Sequence, residues 1–379
     1  MTRKIPTTYR RRRFHTKKTR KHVGGRAQPK IRLNKATPVP IPANQCAPNN
    51  KGAKVEPGSC FSVEDIQEIK KAVNERNHRI ILTANDSHGI YHQLRAHFGK
   101  LCPRGKERCW LKKAGLTEAR YQRIFNNLKP EQPDEWKKNP HAWLSNFDIE
   151  AVLSDYEWVD EDETKPSDFV LLGPTPINIY DKRHGRCVED SLCQLKLDHI
   201  HDNKHYTGFD GFRGNSPKKT KIGIVFNTDK DNEDGEHWIS LFVDLGPHPF
   251  LLFFDSVGND PPPEVKKLMA EIQKQAETRL KKRFLMKPSS DLKTKPIIEN
   301  EVQHQKNNTE CGIYTLFFLI TMLTGRSLLT GRPMTVQQRI DFFTQDVVLE
   351  DDFIAKFRDV LFADDDDDIP IIRGGRPSL

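Results

Sequence analysis

Cys311 follows the polar loop Gln305-Lys306-Asn307-Asn308-Thr309-Glu310 and opens the apolar run Gly312-Ile313-Tyr314-Thr315-Leu316-Phe317-Phe318. That pattern puts a thiol at a helix N-terminus. Unpaired backbone N–H groups and the helix dipole there favour thiolate over thiol. The same N–H groups can hold a developing oxyanion. Gln305, six residues upstream, offers a second oxyanion donor through its side-chain amide. A thiol nucleophile needs a base. Residues 221–228, 237–245 and 249–255 read as strands, the last two joined by the turn Gly246-Pro247-His248. A hairpin folded about Gly246 sets His237 opposite Asp255 at its open end, where cross-strand Cβ atoms lie about 5 Å apart. A carboxylate in that place fixes the imidazole tautomer and stabilises imidazolium. The rival carboxylate, Asp244, lies about 23 Å from His237 along an extended strand. His248, at the turn, is equally remote.

These residues sit in motifs that resemble the ubiquitin-like-protein-specific cysteine proteases, a clan that includes the SUMO proteases and the adenovirus maturation protease. The motifs are His237-Trp238, Phe254-Asp255-Ser256, Gln305 ahead of Cys311-Gly312-Ile313-Tyr314, and Trp143-Leu144-Ser145-Asn146-Phe147-Asp148-Ile149. The resemblance covers about residues 141–325 and keeps the family's order of His, Asp, Gln, Cys. It implies Cys311 as nucleophile, His237 as general base and acid, Asp255 as orienter and Gln305 in the oxyanion hole. The implied fold class is α+β, papain-like or adenovirus-protease-like, with the cysteine on a central helix packed on a mostly antiparallel sheet. In relatives the tryptophans corresponding to Trp143 and Trp238 wall a tunnel that passes only Gly-Gly; core packing is the other reading of both. Residues 59–140 resemble the helical arm domain of proteases from asfarviruses and other large DNA viruses, including Cys109-Trp110-Leu111.

The function so implied is a cysteine endopeptidase that cleaves viral structural polyproteins at Gly-Gly-Xaa sites during virion maturation. A deconjugating protease for SUMO or another ubiquitin-like modifier would need the same site. From another class, a non-catalytic nucleic-acid-binding protein would use the basic N-terminus alone. No cofactor and no metal is implied: Cys102-x₆-Cys109 and Cys187-x₅-Cys193 lack the C-x₂₋₄-C spacing of a zinc ribbon. Two further Gly-Gly-Arg sequences, ending their glycine pairs at Gly25 and Gly375, are candidate self-cleavage positions.

The surrounding chain must position these groups. Its 379 residues suffice for two or three domains. The expected division is a basic disordered arm and linker (1–58), a helical arm domain (59–140), the catalytic domain (141–362) and an acidic disordered tail (363–379). Residues 1–35 carry fourteen Lys/Arg and no Asp/Glu, so of the net +9 the remainder holds −5 (9 − 14). Such an arm suits nucleic acid, nuclear import or plain solubility. Seven cysteines without framework clustering, and no apolar leader, point to free thiols in a reducing compartment. The longest uncharged apolar run, Cys311 to Gly325, is 15 residues, whereas a membrane span needs about 20. It reads as a buried helix, and no membrane partner is expected. Helices are also expected over 264–284, amphipathic with a basic end, and within 334–362, with a strand over 296–304. The protein is expected to be a monomer of the virion and of cytoplasmic assembly sites, with the nucleus open to it through the basic arm.

Overall fold

The computed structural model describes residues 31–39, 46–48, 54–77, 81–102, 106–157, 167–202, 218–284 and 298–363. The first helices are α1 (Val63–Arg76), α2 (Ser87–Phe98), α3 (Glu107–Ala114) and α4 (Glu118–Phe125). Ser62 starts α1 with a capping box: its hydroxyl accepts from the Asp65 N–H while the Asp65 carboxylate accepts from the Ser62 N–H. Ile66, Ile69 and Val73 then point inward with Leu94, Phe98 and Trp110, in a core separate from the one that holds Cys311.

The larger part begins at α5 (Asn146–Ser154), again with a capping box, between Ser145 and Asp148. The described strands are β1 (Ile31–Leu33), β2 (Phe169–Pro176), β3 (Lys182–Arg183), β4 (Arg186–Cys187), β5 (Lys221–Asn227), β6 (Trp238–Asp244), β7 (Phe250–Phe254), β8 (Ile298–Glu299) and β9 (Val347–Leu349). Short helices α6 (Asp190–Cys193) and α7 (Leu197–His201) precede β5, and α8 (Pro263–Thr278) links β7 to β8. The chain then enters α9 (Cys311–Thr324) and ends in α10 (Val336–Asp341), α11 (Asp351–Ile354) and α12 (Phe357–Leu361).

The main sheet runs β2-β5-β6-β7-β8. β5, β6 and β7 are antiparallel neighbours, but β2 lies parallel to β5 and β8 parallel to β7. The sheet is therefore mixed rather than mostly antiparallel. Both parallel partners are reached by long crossovers, as parallel pairing requires. Alternate residues of β6 and β7 serve two cores. Phe242, Leu252 and Phe254 face α9, whereas Leu241, Val243 and Phe253 join Val265, Leu268 and Ile272 of α8. Helices on both faces explain why every residue of β6 and β7 is buried. α9 is buried over thirteen of its fourteen residues and stops at Gly325, whose φ of +63° suits a C-terminal cap. Among the described residues no helix is long and apolar enough to cross a membrane.

Four further expectations need correction. First, the span 1–58 contains ordered pieces: β1 pairs in parallel with β9, and Cys46 is bonded to Cys60. Second, the cysteines are not all free. Cys46–Cys60, Cys102–Cys109 and Cys187–Cys193 form disulfides, and Cys311 alone of the seven is a free thiol. Spacing tests a zinc ribbon but not which thiols folding brings together; here the paired Cα atoms end 5.1, 5.8 and 6.3 Å apart, within disulfide range. Third, α8 ends at Thr278, so Lys281-Lys282-Arg283 lies beyond its last turn. The Lys282 N–H instead closes the end on the Ala276 carbonyl, with Lys281 at φ +56°. Fourth, of the strand expected over 296–304 the described part is the two residues of β8; Asn300 onward forms a loop.

Candidate active site

Cys311 is the first residue of α9 and is buried. Its N-cap residue, Glu310, makes no capping bond to the helix. The carboxylate turns away to Arg358 Nε at 2.9 Å and His141 Nδ1 at 3.4 Å. The first-turn N–H groups are thus not consumed by a cap side chain, which suits an oxyanion.

His237 stands just before β6, and Asp255 just after β7. The hairpin register differs from a fold about Gly246. Asp244 pairs with Phe250 and Ser240 with Phe254, so the position opposite His237 would be 257, and Asp255 is its diagonal neighbour. The shift of two keeps both side chains on one face. His237 Nε2 lies 2.7 Å from Asp255 Oδ1. The same oxygen accepts from the Val257 N–H at 2.9 Å, and Oδ2 accepts from the Asn259 N–H at 3.3 Å. Asn300 clamps the Asp255 backbone from both sides, accepting from its N–H and donating to its carbonyl. Burial opposes charge on His237. Hydrogen bonds to Asp255 and to Cys311 outweigh it and push the imidazole up to about 10. The ring is an imidazolium at neutral pH, held between a carboxylate and the sulfur.

Gln305 is buried in the loop before α9. Ser256 holds it twice: the Ser256 carbonyl accepts from the Gln305 N–H at 2.8 Å, and the Ser256 hydroxyl donates to Gln305 Oε1 at 2.6 Å. With Oε1 so engaged, the opposite end of the amide is the NH₂, the donor an oxyanion needs. Asp351 accepts from the N–H groups of Lys306 and Asn307 and from the Tyr314 hydroxyl, tying the loop to α9. Next to Gln305, burial drives His304 down to about 4. This neutral ring accepts from the Leu349 N–H and donates to the Phe343 carbonyl.

The two tryptophans meet at the segment before α5. Trp238 is buried, and its Nε1 donates to the Leu144 carbonyl at 2.9 Å. Trp136 Nε1 and Arg358 Nη1 both donate to the Ala142 carbonyl. Trp143 is thus held by its neighbours' backbone while its own side chain stays 39% exposed. Leu144 also packs against Gly312, where an added Cβ would come within 3.0 Å of Leu144 Cβ.

The structure therefore unites His237, Asp255 and Cys311 in direct contact, with Gln305 held on the loop leading to Cys311 and Trp143 and Trp238 beside it. Sequence reasoning assigned no role to Ser256, Asn300, Glu310, Asp351 or Arg358. Ser256 carries a local signal, since it follows Asp255 directly. Glu310 and Arg358 are 48 positions apart, without any pattern linking them. Gly25, Gly375 and the acidic run from Asp364 lie outside the described residues, as do residues 1–30 of the basic arm.

Residues 199–352 match the Ulp1 protease family, C-terminal catalytic domain. That span takes in His237, Asp255, Gln305 and Cys311 but not Trp143. A protein of Acanthamoeba polyphaga mimivirus described as a thiol protease is 25% identical over 301 residues, 74% of this chain and 85% of that protein. The SUMO-1 cysteine protease of an African swine fever virus isolate is 35% identical over 191 residues, 50% of this chain and 61% of the viral protein. The crystal structure of an African swine fever virus protease superposes with a TM-score of 0.51 at 19% identity, covering 86% of this chain and 97% of that one. That last likeness bears on the fold.

Proposed function

We propose that this chain is a cysteine peptidase of the Ulp1 protease type, an endopeptidase that cleaves after Gly-Gly in viral structural polyproteins during virion maturation. The observation that carries the reading is the contact chain Asp255–His237–Cys311; in this reading Trp143 and Trp238 flank the approach to the sulfur. In the reaction the Cys311 thiolate adds to the carbonyl carbon of the second glycine. The carbonyl oxygen becomes an oxyanion facing the first-turn N–H groups of α9 and the Gln305 amide. His237 gives its proton to the leaving amine as the C–N bond breaks, and a thioester remains. His237, now neutral, takes a proton from water. The resulting hydroxide attacks the thioester, the C–S bond breaks, and the acid product leaves with thiolate and imidazolium restored. Asp255 holds Nε2 throughout, which leaves Nδ1 as the nitrogen that exchanges the proton. The aromatic walls supply the glycine preference, since a side chain at either position would have to displace an indole ring.

A second reading, removal of a ubiquitin-like modifier, is favoured by the African swine fever virus relative, which is named a SUMO-1 cysteine protease. Parallel digestion of a fluorogenic Gly-Gly-Xaa peptide and a SUMO precursor separates the two. Hydrolysis of the peptide by wild type and not by Cys311→Ala supports the leading reading. Cleavage of the precursor alone replaces it with the second, and cleavage of neither sinks both. Self-trimming at Gly25 or Gly375, and contact of residues 3–35 with nucleic acid, are separate proposals. Intact mass and salt-dependent DNA retention test them.

A further inference from the structure

The helical part of the chain carries a cluster that the peptidase chemistry does not use. α2 presents His88 and His92 one turn apart on a single face. Their ring centroids lie 4.2 Å apart. Glu56, from the turn ahead of α1, reaches up to both. Its Oε1 meets His88 Nδ1 and lies 4.0 Å from His92 Nε2. One donor atom from each of the three residues falls within 4.8 Å of the other two. A hydrogen bond to Glu56 would need only one of the rings. The approach of the second ring to the same oxygen makes a cup of three donors.

Two imidazoles and a carboxylate form a ligand set for zinc-class ions, and histidines at i and i+4 of a helix are a recurrent zinc pair. Nitrogen donors disfavour calcium and magnesium, which take oxygen. The cup is held on fixed supports. The Glu56 carbonyl accepts from the Ser59 N–H, Val55 bonds to Phe61, and the Cys46–Cys60 disulfide anchors the turn. Asp86 caps the start of α2. The imidazoles are 67% and 51% exposed, so an ion can enter from solvent and keep water as a fourth ligand.

We propose that Glu56, His88 and His92 bind one zinc-class divalent ion, which braces the turn carrying Glu56 against α2. The test uses the full chain with Cys311→Ala, which removes a thiol that would itself take up zinc. Zinc sulfate is titrated by calorimetry, and cobalt(II) chloride by visible absorption. The expected result is one ion per chain, the d–d bands of tetrahedral cobalt, and a thermal midpoint raised by zinc. His88→Ala, His92→Ala and Glu56→Gln should each weaken binding at least tenfold. The histidine variants should keep the metal-free midpoint of the parent, both rings being exposed, so that lost binding reads as lost ligands. Absence of binding at millimolar zinc, or an affinity unchanged in the His88→Ala/His92→Ala double variant, overturns the proposal.

Discussion

Arg358→Met removes the group that joins the start of α9 to the segment leading to Trp143. Arg358 and Glu310 are a buried pair, 7% and 2% exposed, joined at 2.9 Å. The guanidinium also donates to the carbonyls of Ala142 at 2.9 Å and Thr309 at 3.3 Å, and lies 4.3 Å from the Trp136 ring centroid. Methionine fills much of the space but leaves the Glu310 carboxylate buried without its cation. Breaking one side of such a pair costs about 3–5 kcal/mol. Replacing both partners by apolar or neutral groups costs far less, because no orphan charge remains. The urea unfolding free energy should therefore drop by about 3–5 kcal/mol in Arg358→Met. Arg358→Met/Glu310→Gln should recover more than half of that loss. Function should not recover with it, because in the double variant Thr309 still lacks the Arg358 donor and Ala142 keeps only the bond from Trp136. Those two carbonyls flank the start of α9 and Trp143. kcat/KM on a Gly-Gly-Xaa peptide, measured well below the unfolding midpoint, should stay down about tenfold, the equivalent of about 1.4 kcal/mol in the barrier. A single variant that loses under about 1 kcal/mol, or a double variant no more stable than the single, would refute the reasoning.

Three other outcomes are expected. With His237 raised to about 10, the alkaline limb of kcat/KM should report loss of the imidazolium near that pH, and Asp255→Ala should move the limb downward and cut the plateau. A limb unmoved by Asp255→Ala would mean that another group titrates. His304, depressed to about 4, is neutral in the fold yet takes a proton in the unfolded chain below its ordinary 6.5. Its contribution is thus complete above pH 6.5 and lost as pH falls toward 4, by about 3 kcal/mol. Urea midpoints across that window should show the loss in wild type and not in His304→Gln. Trp143→Ala should leave the thermal midpoint nearly unchanged, the ring being partly exposed, while relaxing the demand for glycine in a peptide panel. Retained Gly-Gly selectivity would remove Trp143 from the substrate wall.

The chemistry was legible where it is local. A polar loop running into an apolar block marks the start of α9 at Cys311, and the block's length separates a buried helix from a membrane span. The hairpin was legible in its strands but not in its register. Sequence shows Gly246-Pro247-His248 as a turn, whereas the closing pair Asp244–Phe250 is set by how the five intervening residues pack. The diagonal placement of Asp255 still works because a shift of two preserves the face. The supports were not legible for another reason. Arg358, Asp351 and Asn300 act across long separations, and a lone Arg, Asp or Asn looks the same whether it faces solvent or a buried partner. Disulfide pairing failed likewise: Cys46 and Cys60 come together through tertiary structure. The cup at Glu56 escapes because its histidines carry no meaning until a turn from another segment brings a carboxylate to them.

β1 pairs with β9, and Leu33 sits in the same core as Cys311. Arg32 reaches Glu350, 318 positions along the chain. β9 in turn touches the site, since Leu349 donates to His304 and accepts from the Tyr314 hydroxyl. The consequence is one of timing during synthesis. Residues 31–33 leave the ribosome long before their partners in β9, which follow every residue of the triad. A nascent chain can form the hairpin and α9 and still lack the strand that closes this edge. The edge that bonds His304 and Tyr314 is therefore completed only once residue 349 has been made, later than every residue of the triad.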